Sequence, residues 1–214
     1  MSYQLAVLLS GSGSNLQALL DAAQAGELGA NISLVVSDRA DAYGLQRALQ
    51  HGVAAAHVPL PNAPRGPARL AARAAWEQRL AAVVAAFRPD LIVLAGFMRV
   101  LSPIFLDQFP EQVINQHPAL LPDDGGSSYT TSSGLVIPAL RGAHVVPEAV
   151  QLGLPVSGCT IHRVTPRVDD GPVLARAEVP LRPGDSADSL HERIKTEERR
   201  LIVEVVRRLA HRGG

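Results

Sequence analysis

The chain has 214 residues, 47% of them hydrophobic and 19% charged, enough apolar material for one sizeable core. Its 20 basic and 20 acidic residues cancel, so no overall positive field is available to hold a nucleic acid or an anionic membrane. Cys159 is the only cysteine, which excludes an internal disulfide and a thiolate-rich metal or iron–sulfur site and fits a reducing compartment.

The amino terminus carries no basic segment ahead of its short apolar run and reads as a first strand, Leu5 to Leu9, rather than a signal peptide. No apolar stretch reaches the roughly 18 residues of a membrane span, so a soluble, cytoplasmic protein is expected. Further buried strands are predicted at Ile32 to Val36, Leu91 to Ala95 and Val113 to Asn115, the last ending at a histidine-proline step. Helices are predicted between them at Ser14 to Ala25, Ala42 to His51 and Ala68 to Phe87, with Trp76 and Phe87 as core residues. The Pro-rich stretch Pro59 to Pro67 reads as a loop. This alternation predicts a single α/β domain with a mostly parallel, Rossmann-like open sheet flanked by helices.

After Pro122 the pattern changes. Asp123 to Ser133 is Ser, Thr, Gly and Asp with one Tyr, and reads as an exposed loop. His144 to Leu152 reads as a short helix. Ser157 to Thr165 and Val173 to Val179 read as two strands joined by a turn at Asp169-Asp170-Gly171-Pro172. A last helix is expected from Ala187 to His211, with Asp185-Ser186 capping its start and Gly213-Gly214 after its end.

Three segments could carry chemistry. Ser10-Gly11-Ser12-Gly13-Ser14-Asn15 joins a strand to a helix, where close backbone approach and the helix start favour a phosphate. It lacks the Lys of a P-loop, and Leu16 occupies the third glycine position of a dinucleotide fingerprint; the bland alternative is a turn capped by Ser and Asn. Asn115 and His117 alternate at a strand's carboxyl end and so share a face, offering an amide and an imidazole to one developing oxyanion. The alternative is a satisfied structural histidine. Asp169-Asp170 is either turn chemistry or a carboxylate that would hold His117 protonated. The remaining histidines show no metal-ligand spacing, so no metal is expected.

In order along the chain, Leu8–Ala18, Val36–Leu45, Leu94–Pro103, Asn115–Pro122 and Val168–Val173 together resemble the phosphoribosylglycinamide formyltransferases, folate-dependent enzymes of purine synthesis. The resemblance covers nearly the whole chain. It implies Asn115, His117 and Asp169 as a catalytic trio, Gly13, Ser14 and Asn15 as holders of the ribonucleotide phosphate, and Glu198 with Lys195 at the ribose. It implies a folate pocket lined by Met98, Arg99, Val100 and Leu101, by Val164, Thr165 and Val168 opposite, and by Arg73 near the folate tail. A nucleotide-binding half over about 1–100 and a smaller catalytic and folate-binding half over about 101–214 follow from the same likeness. So do the substrates glycinamide ribonucleotide and 10-formyltetrahydrofolate; the balanced charge and the lack of a membrane-length apolar stretch leave no nucleic-acid or membrane partner expected, and a homodimer stays open.

The chain departs from the family pattern at Asp170, where glycine is usual, and at Gln116, which should point away from the trio into a partly wet setting. It also carries an insertion at 123–138, expected to be a mobile flap over the cleft. The implied chemistry is direct attack of the glycinamide amine on the formyl carbon, with Asn115 and protonated His117 stabilising the oxyanion and Asp169 supporting the imidazolium. Two other readings stay open: a formyltetrahydrofolate hydrolase, which normally has a further amino-terminal domain, and a non-catalytic phosphate-binding module. A methionyl-tRNA formyltransferase would need a further carboxyl-terminal domain and a basic surface.

Overall fold

The computed structural model describes residues 2–212. The fold is an open α/β fold with a mostly parallel sheet flanked by helices. It divides into two compact units, Met1–Val113 with Val206–Gly214, and Ile114–Val205. The division falls at Ile114 rather than near residue 100.

The first unit contains β1 (Tyr3–Leu9), α1 (Ser14–Gln24), β2 (Ala30–Ser37), α2 (Tyr43–Gln50), β3 (Ala54–His57), α3 (Pro67–Ala85), β4 (Leu91–Leu94) and the single turn α4 (Pro103–Leu106). Its strands run parallel in the order β3-β2-β1-β4. Leu5 to Leu9 and Leu91 to Leu94 are buried without alternation, as strands covered on both faces must be. Edge strand β3 escapes the sequence reading because Ala54-Ala55-Ala56 has no β-branched residue to mark it. Trp76 of α3 is fully buried, its indole N–H donating to the Val58 carbonyl at 2.9 Å. Phe87 was expected in the core but lies beyond the end of α3 and is 37% exposed.

The chain leaves β1 for one side of the sheet and returns to its other side with β4, which makes the carboxyl ends of β1 and β4 a topological switch point where ligands gather. The Gly-rich loop follows β1 and the Gly96–Leu101 loop follows β4.

The second unit contains most of β5 (Val113–His117), β6 (Ser128–Thr130), β7 (Val136–Pro138), α5 (Val145–Gln151), β8 (Val156–Arg163), β9 (Val173–Pro180) and most of α6 (Ala187–Arg212). Strands β5, β8 and β9 pair antiparallel, with Asn115 opposite His162 and His117 opposite Thr160. Helix α6 buries Leu190, Ile194, Leu201, Ile202 and Val205 along one face. Its start is capped reciprocally: Ser189 N–H donates to Ser186 Oγ and Ser186 N–H to Ser189 Oγ. Gly213 and Gly214 lie outside the described residues.

The insertion contains a built hairpin, which corrects the expectation of a loop without strands, while most of Asp123–Ser133 is exposed as expected. β6 and β7 pair antiparallel with Tyr129 opposite Ile137; Ile137 packs with Leu120 and Val156, and Tyr129 lies against them. Glu178 of β9 accepts from Tyr129 Oη at 3.1 Å and from the Ser132 N–H and hydroxyl at 2.7 Å each. Arg176 pairs with Asp123 at 2.6 Å and lies over the Tyr129 ring. These attachments fasten the hairpin to β9.

Candidate active site

In the first unit the Gly-rich loop starts α1 at Gly13, whose φ of 70° is left-handed; among the described residues no side-chain hydrogen bond caps the helix. A Cβ on Gly13 would stand 2.7 Å from the Gly44 Cα, so the loop seats directly on α2, and Gly44 N–H donates to the Gly11 carbonyl at 3.1 Å. Ser14 and Asn15 are half-buried in the first turn. Arg47, a residue the sequence reading passed over, donates to the Ser12 carbonyl and to Gln17 Oε1.

The loop after β4 is tied to the Gly-rich loop. Ser10 Oγ donates to Asp38 at 2.6 Å and accepts from Met98 N–H at 2.9 Å, while Arg99 Nε donates to the other Asp38 oxygen at 2.6 Å. Met98 and Val100 are exposed, whereas Leu101 is only 2% exposed and belongs to the core. Arg73 donates to the Val100 carbonyl and pairs with Glu77 at 3.2 Å. Buried Glu77 in turn accepts from the Ser102 N–H and hydroxyl. Arg73 thus braces the loop from behind.

In the second unit, β5 presents Asn115 and His117 on one face, and β8 presents His162 beside them. Asp169 joins all three. Its Oδ2 is 3.4 Å from His117 Nδ1, and its Oδ1 is 3.6 Å from His162 Nε2 and 3.5 Å from Asn115 Nδ2. Asp170 instead pairs with Arg167 at 3.2 Å, so the carboxylate beside His117 is that of Asp169. The Asp169 backbone is left-handed, φ 51°, a conformation Asp tolerates better than most residues. Its loop is closed by Arg163 N–H donating to the Pro172 carbonyl. Gly171 is required there, since a Cβ would fall 1.8 Å from the Arg163 carbonyl oxygen.

Tautomers follow from the acceptors. The Arg163 carbonyl lies 2.8 Å from His162 Nδ1, so Nδ1 carries the proton and Nε2 accepts from the Asn115 amide at 3.2 Å. That bond fixes which end of Asn115 is the donor, and its second hydrogen is held only weakly toward Asp169. His162 was passed over because it carries no metal spacing; its place opposite Asn115 in an antiparallel pair is the signal that could have found it.

His117 Nε2 donates to the Leu140 carbonyl at 2.9 Å, and Nδ1 faces Asp169, so both nitrogens meet acceptors and the geometry favours a second proton. Burial works against this and prevails: it pushes the His117 imidazole below its ordinary range, although Asp169 and the Leu140 carbonyl push it up. Burial also raises the Asp169 carboxyl, but the neighbouring His162 and His117 imidazoles and the Gly142 N–H outweigh it and leave Asp169 below its ordinary value.

Gln116 is 6% exposed, and neither amide atom meets a hydrogen-bond partner among the described residues, so its setting is buried rather than partly wet. On α6, Glu198 is buried and Lys195 pairs with Glu192 at 2.7 Å. Val164 and Thr165 are half-buried and Val168 exposed along the Asp169 loop. Among the described residues no group of three or more His, Cys, Asp or Glu is placed to hold a metal ion, and no helix is long and apolar enough to cross a membrane.

An open α/β fold with a Gly-rich loop at its switch point, and in its second unit an Asn-His-Asp cluster, is the fold of an enzyme of the formyl transferase class. The chain belongs to the formyl transferase family, whose pattern it matches over residues 3–206, and within it to the phosphoribosylglycinamide formyltransferases. It is 40% identical to the phosphoribosylglycinamide formyltransferase of Mycobacterium tuberculosis, over 98% of this chain and 86% of that protein. To that of Escherichia coli K12 it is 36% identical, over 91% of this chain and 81% of that protein. The crystal structure of glycinamide ribonucleotide transformylase 1 from Symbiobacterium toebii superposes with a TM-score of 0.83 at 38% identity, covering 98% of this chain and 88% of that one.

Proposed function

We propose that this chain transfers the formyl group of 10-formyltetrahydrofolate to the amine of glycinamide ribonucleotide, in the cytoplasm, as a step of purine synthesis. The observation that carries this reading is Asp169 set between His117 and His162, with Asn115 bonded into the same cluster, in a chain of the formyltransferase family.

The amine is nucleophilic enough to attack the formyl carbon directly. The difficulty is the negative charge that develops on the formyl oxygen. Asn115 contributes the amide hydrogen not bonded to His162. His117 contributes Nε2–H once the formyl oxygen replaces the Leu140 carbonyl as its acceptor. Burial disfavours an imidazolium in the empty cluster; the Asp169 charge and the growing oxyanion together supply the counter-charge that sustains it. The tetrahedral intermediate collapses as the bond from the formyl carbon to folate N10 breaks, and the proton lost by the attacking nitrogen passes through water ordered by Asp169 to N10, releasing tetrahydrofolate. Gly13, Ser14 and Asn15 hold the phosphate, Glu198 and Lys195 the ribose, and Met98, Arg99, Val100, Val164, Thr165 and Val168 border the folate, with Arg73 and Leu101 shaping that border from beneath.

One spectrophotometric assay of folate deformylation, run with and without glycinamide ribonucleotide, tests the reading. Deformylation that depends on the ribonucleotide is expected. Deformylation at the same rate without it would make the chain a hydrolase, and ribonucleotide binding without turnover would make it a binding module.

A further inference from the structure

We propose that Arg141 is a positioning residue for the Asp169 carboxylate, and that the inserted hairpin exists in part to hold this arginine. The proposal rests on the reading that Asp169 serves formyl transfer.

Arg141 follows the hairpin, and its guanidinium gathers three stretches of chain. Nε donates to the Asp169 carbonyl at 3.0 Å, one terminal nitrogen to the Gly126 and Gly125 carbonyls at 2.8 and 3.2 Å, and the other to the Ala139 carbonyl at 3.4 Å. The start of the insertion, its end and the left-handed residue of the catalytic loop are thereby joined through one planar fork. The next residue completes the grip, since Gly142 N–H donates to Asp169 Oδ2 at 2.9 Å. Gly125 also closes on the neighbouring carboxylate: a Cβ there would stand 2.6 Å from Asp170 Oδ1. The hairpin is fixed at its far side by Glu178 and by the Arg176–Asp123 pair, so its end cannot drift without breaking those bonds.

A main chain held at φ 51° sets the direction of its side chain. Arg141 therefore acts on the Asp169 carboxylate through the backbone, keeping its two oxygens between His117 and His162. A lysine would keep the charge but cannot reproduce the fork, because an ammonium lacks the fixed planar donor geometry. The two roles open to Arg141, a charge near His117 and a geometric brace, are thus separable.

The test uses the full chain with Arg141→Met, Arg141→Lys and, as comparator, Asp169→Asn. The readouts are kcat, KM for both substrates, and the ring 15N resonances of His117 and His162 across pH. Misplacement of a reacting group by about 1 Å costs about a hundredfold, so both Arg141 variants are expected to lose about ten- to a hundredfold in kcat, with KM little changed and the His117 titration displaced. Wild-type kcat and an unmoved His117 titration in either variant, with Asp169→Asn inactive, would overturn the brace and leave the reading of Asp169 intact. Full rescue by lysine would do the same, since it would reduce Arg141 to a charge. An active Asp169→Asn enzyme would instead overturn the reading beneath both. If Arg141→Met fails to fold, Arg141→Lys decides alone.

Discussion

Asp169 Oδ2 lies 3.4 Å from His117 Nδ1, with both side chains buried, while the opposite nitrogen of the same ring donates to the Leu140 carbonyl. The ring is therefore fully engaged before substrate arrives. The backbone oxygen of Leu140 occupies the place on Nε2–H that the formyl oxygen takes in the proposed transfer.

Burial sets the direction of the His117 titration and Asp169 opposes it. In the free enzyme the ring 15N resonances of His117 should titrate below the ordinary histidine range. In Asp169→Asn they should titrate lower still, since the carboxylate that favours the cation is gone. A titration that moved upward would show that Asp169 does not act on the ring.

The two adjacent carboxylates should separate in kinetics. Asp169→Asn removes the partner of a buried imidazole and is expected to lower kcat by about 10²–10³, the scale of losing an oxyanion donor. Asp170→Asn breaks only a pair with Arg167, which is 85% exposed, and pairs that exposed are worth about 0–1 kcal/mol; kcat should stay within about threefold. Equal losses in the two variants would contradict the assignment.

Folding stability carries the same electrostatics with a definite sign. His117 and Asp169 both have folded values below their unfolded ones. Each contributes stability that is fully present above the unfolded pKa and is lost as pH falls through the folded one, because the unfolded chain then binds the extra proton. The His117 contribution is lost first, on descent from about pH 6.5, and the Asp169 contribution from about pH 3.9 downward. Thermal melts should show His117→Gln flattening the first decline. A first decline identical to wild type would place its origin elsewhere.

How much of this was readable beforehand follows from what each segment must satisfy locally. Leu5–Leu9 and Leu91–Leu94 announce themselves because a strand buried on both faces is apolar throughout. Asn115 and His117 could be placed on one face by the two-residue period alone. His162 could not, because its partnership with Asn115 depends on a register between two strands far apart in the chain. The hairpin was hidden for a related reason: Tyr129 and Ile137 form one small cluster only when Leu120 and Val156 are brought to them, and a Ser-Thr-Gly composition gives no hint of that. Gln116 shows the converse, a polar residue on a strand whose burial its chemistry alone would not suggest.

The hairpin's apolar anchor gives a stability prediction independent of catalysis. Ile137 is 4% exposed against Leu120 and Val156, so Ile137→Ala should cost about 2–5 kcal/mol, read as a shift of the urea midpoint. A midpoint unchanged from wild type would mean that this cluster does not fasten the insertion.

The Gly-rich loop offers the sharpest steric test. Alanine at Gly13 meets two obstacles at once: a left-handed φ of 70° and a Cβ placed 2.7 Å from the Gly44 Cα, a backbone atom that cannot swing aside. Strain of this kind costs about 1–3 kcal/mol. To relieve it, the loop must lift from α2, carrying Ser14 and Asn15 with it. Gly13→Ala should therefore raise KM for the ribonucleotide about tenfold or more while changing kcat at saturation much less, the signature of binding lost equally in ground and transition states. Gly26→Ala is the control, because Gly26 is also left-handed, φ 73°, but has open space around its Cβ. It should lose stability with no change in that KM. If both alanine variants bind the ribonucleotide as tightly as wild type, the loop does not hold the phosphate.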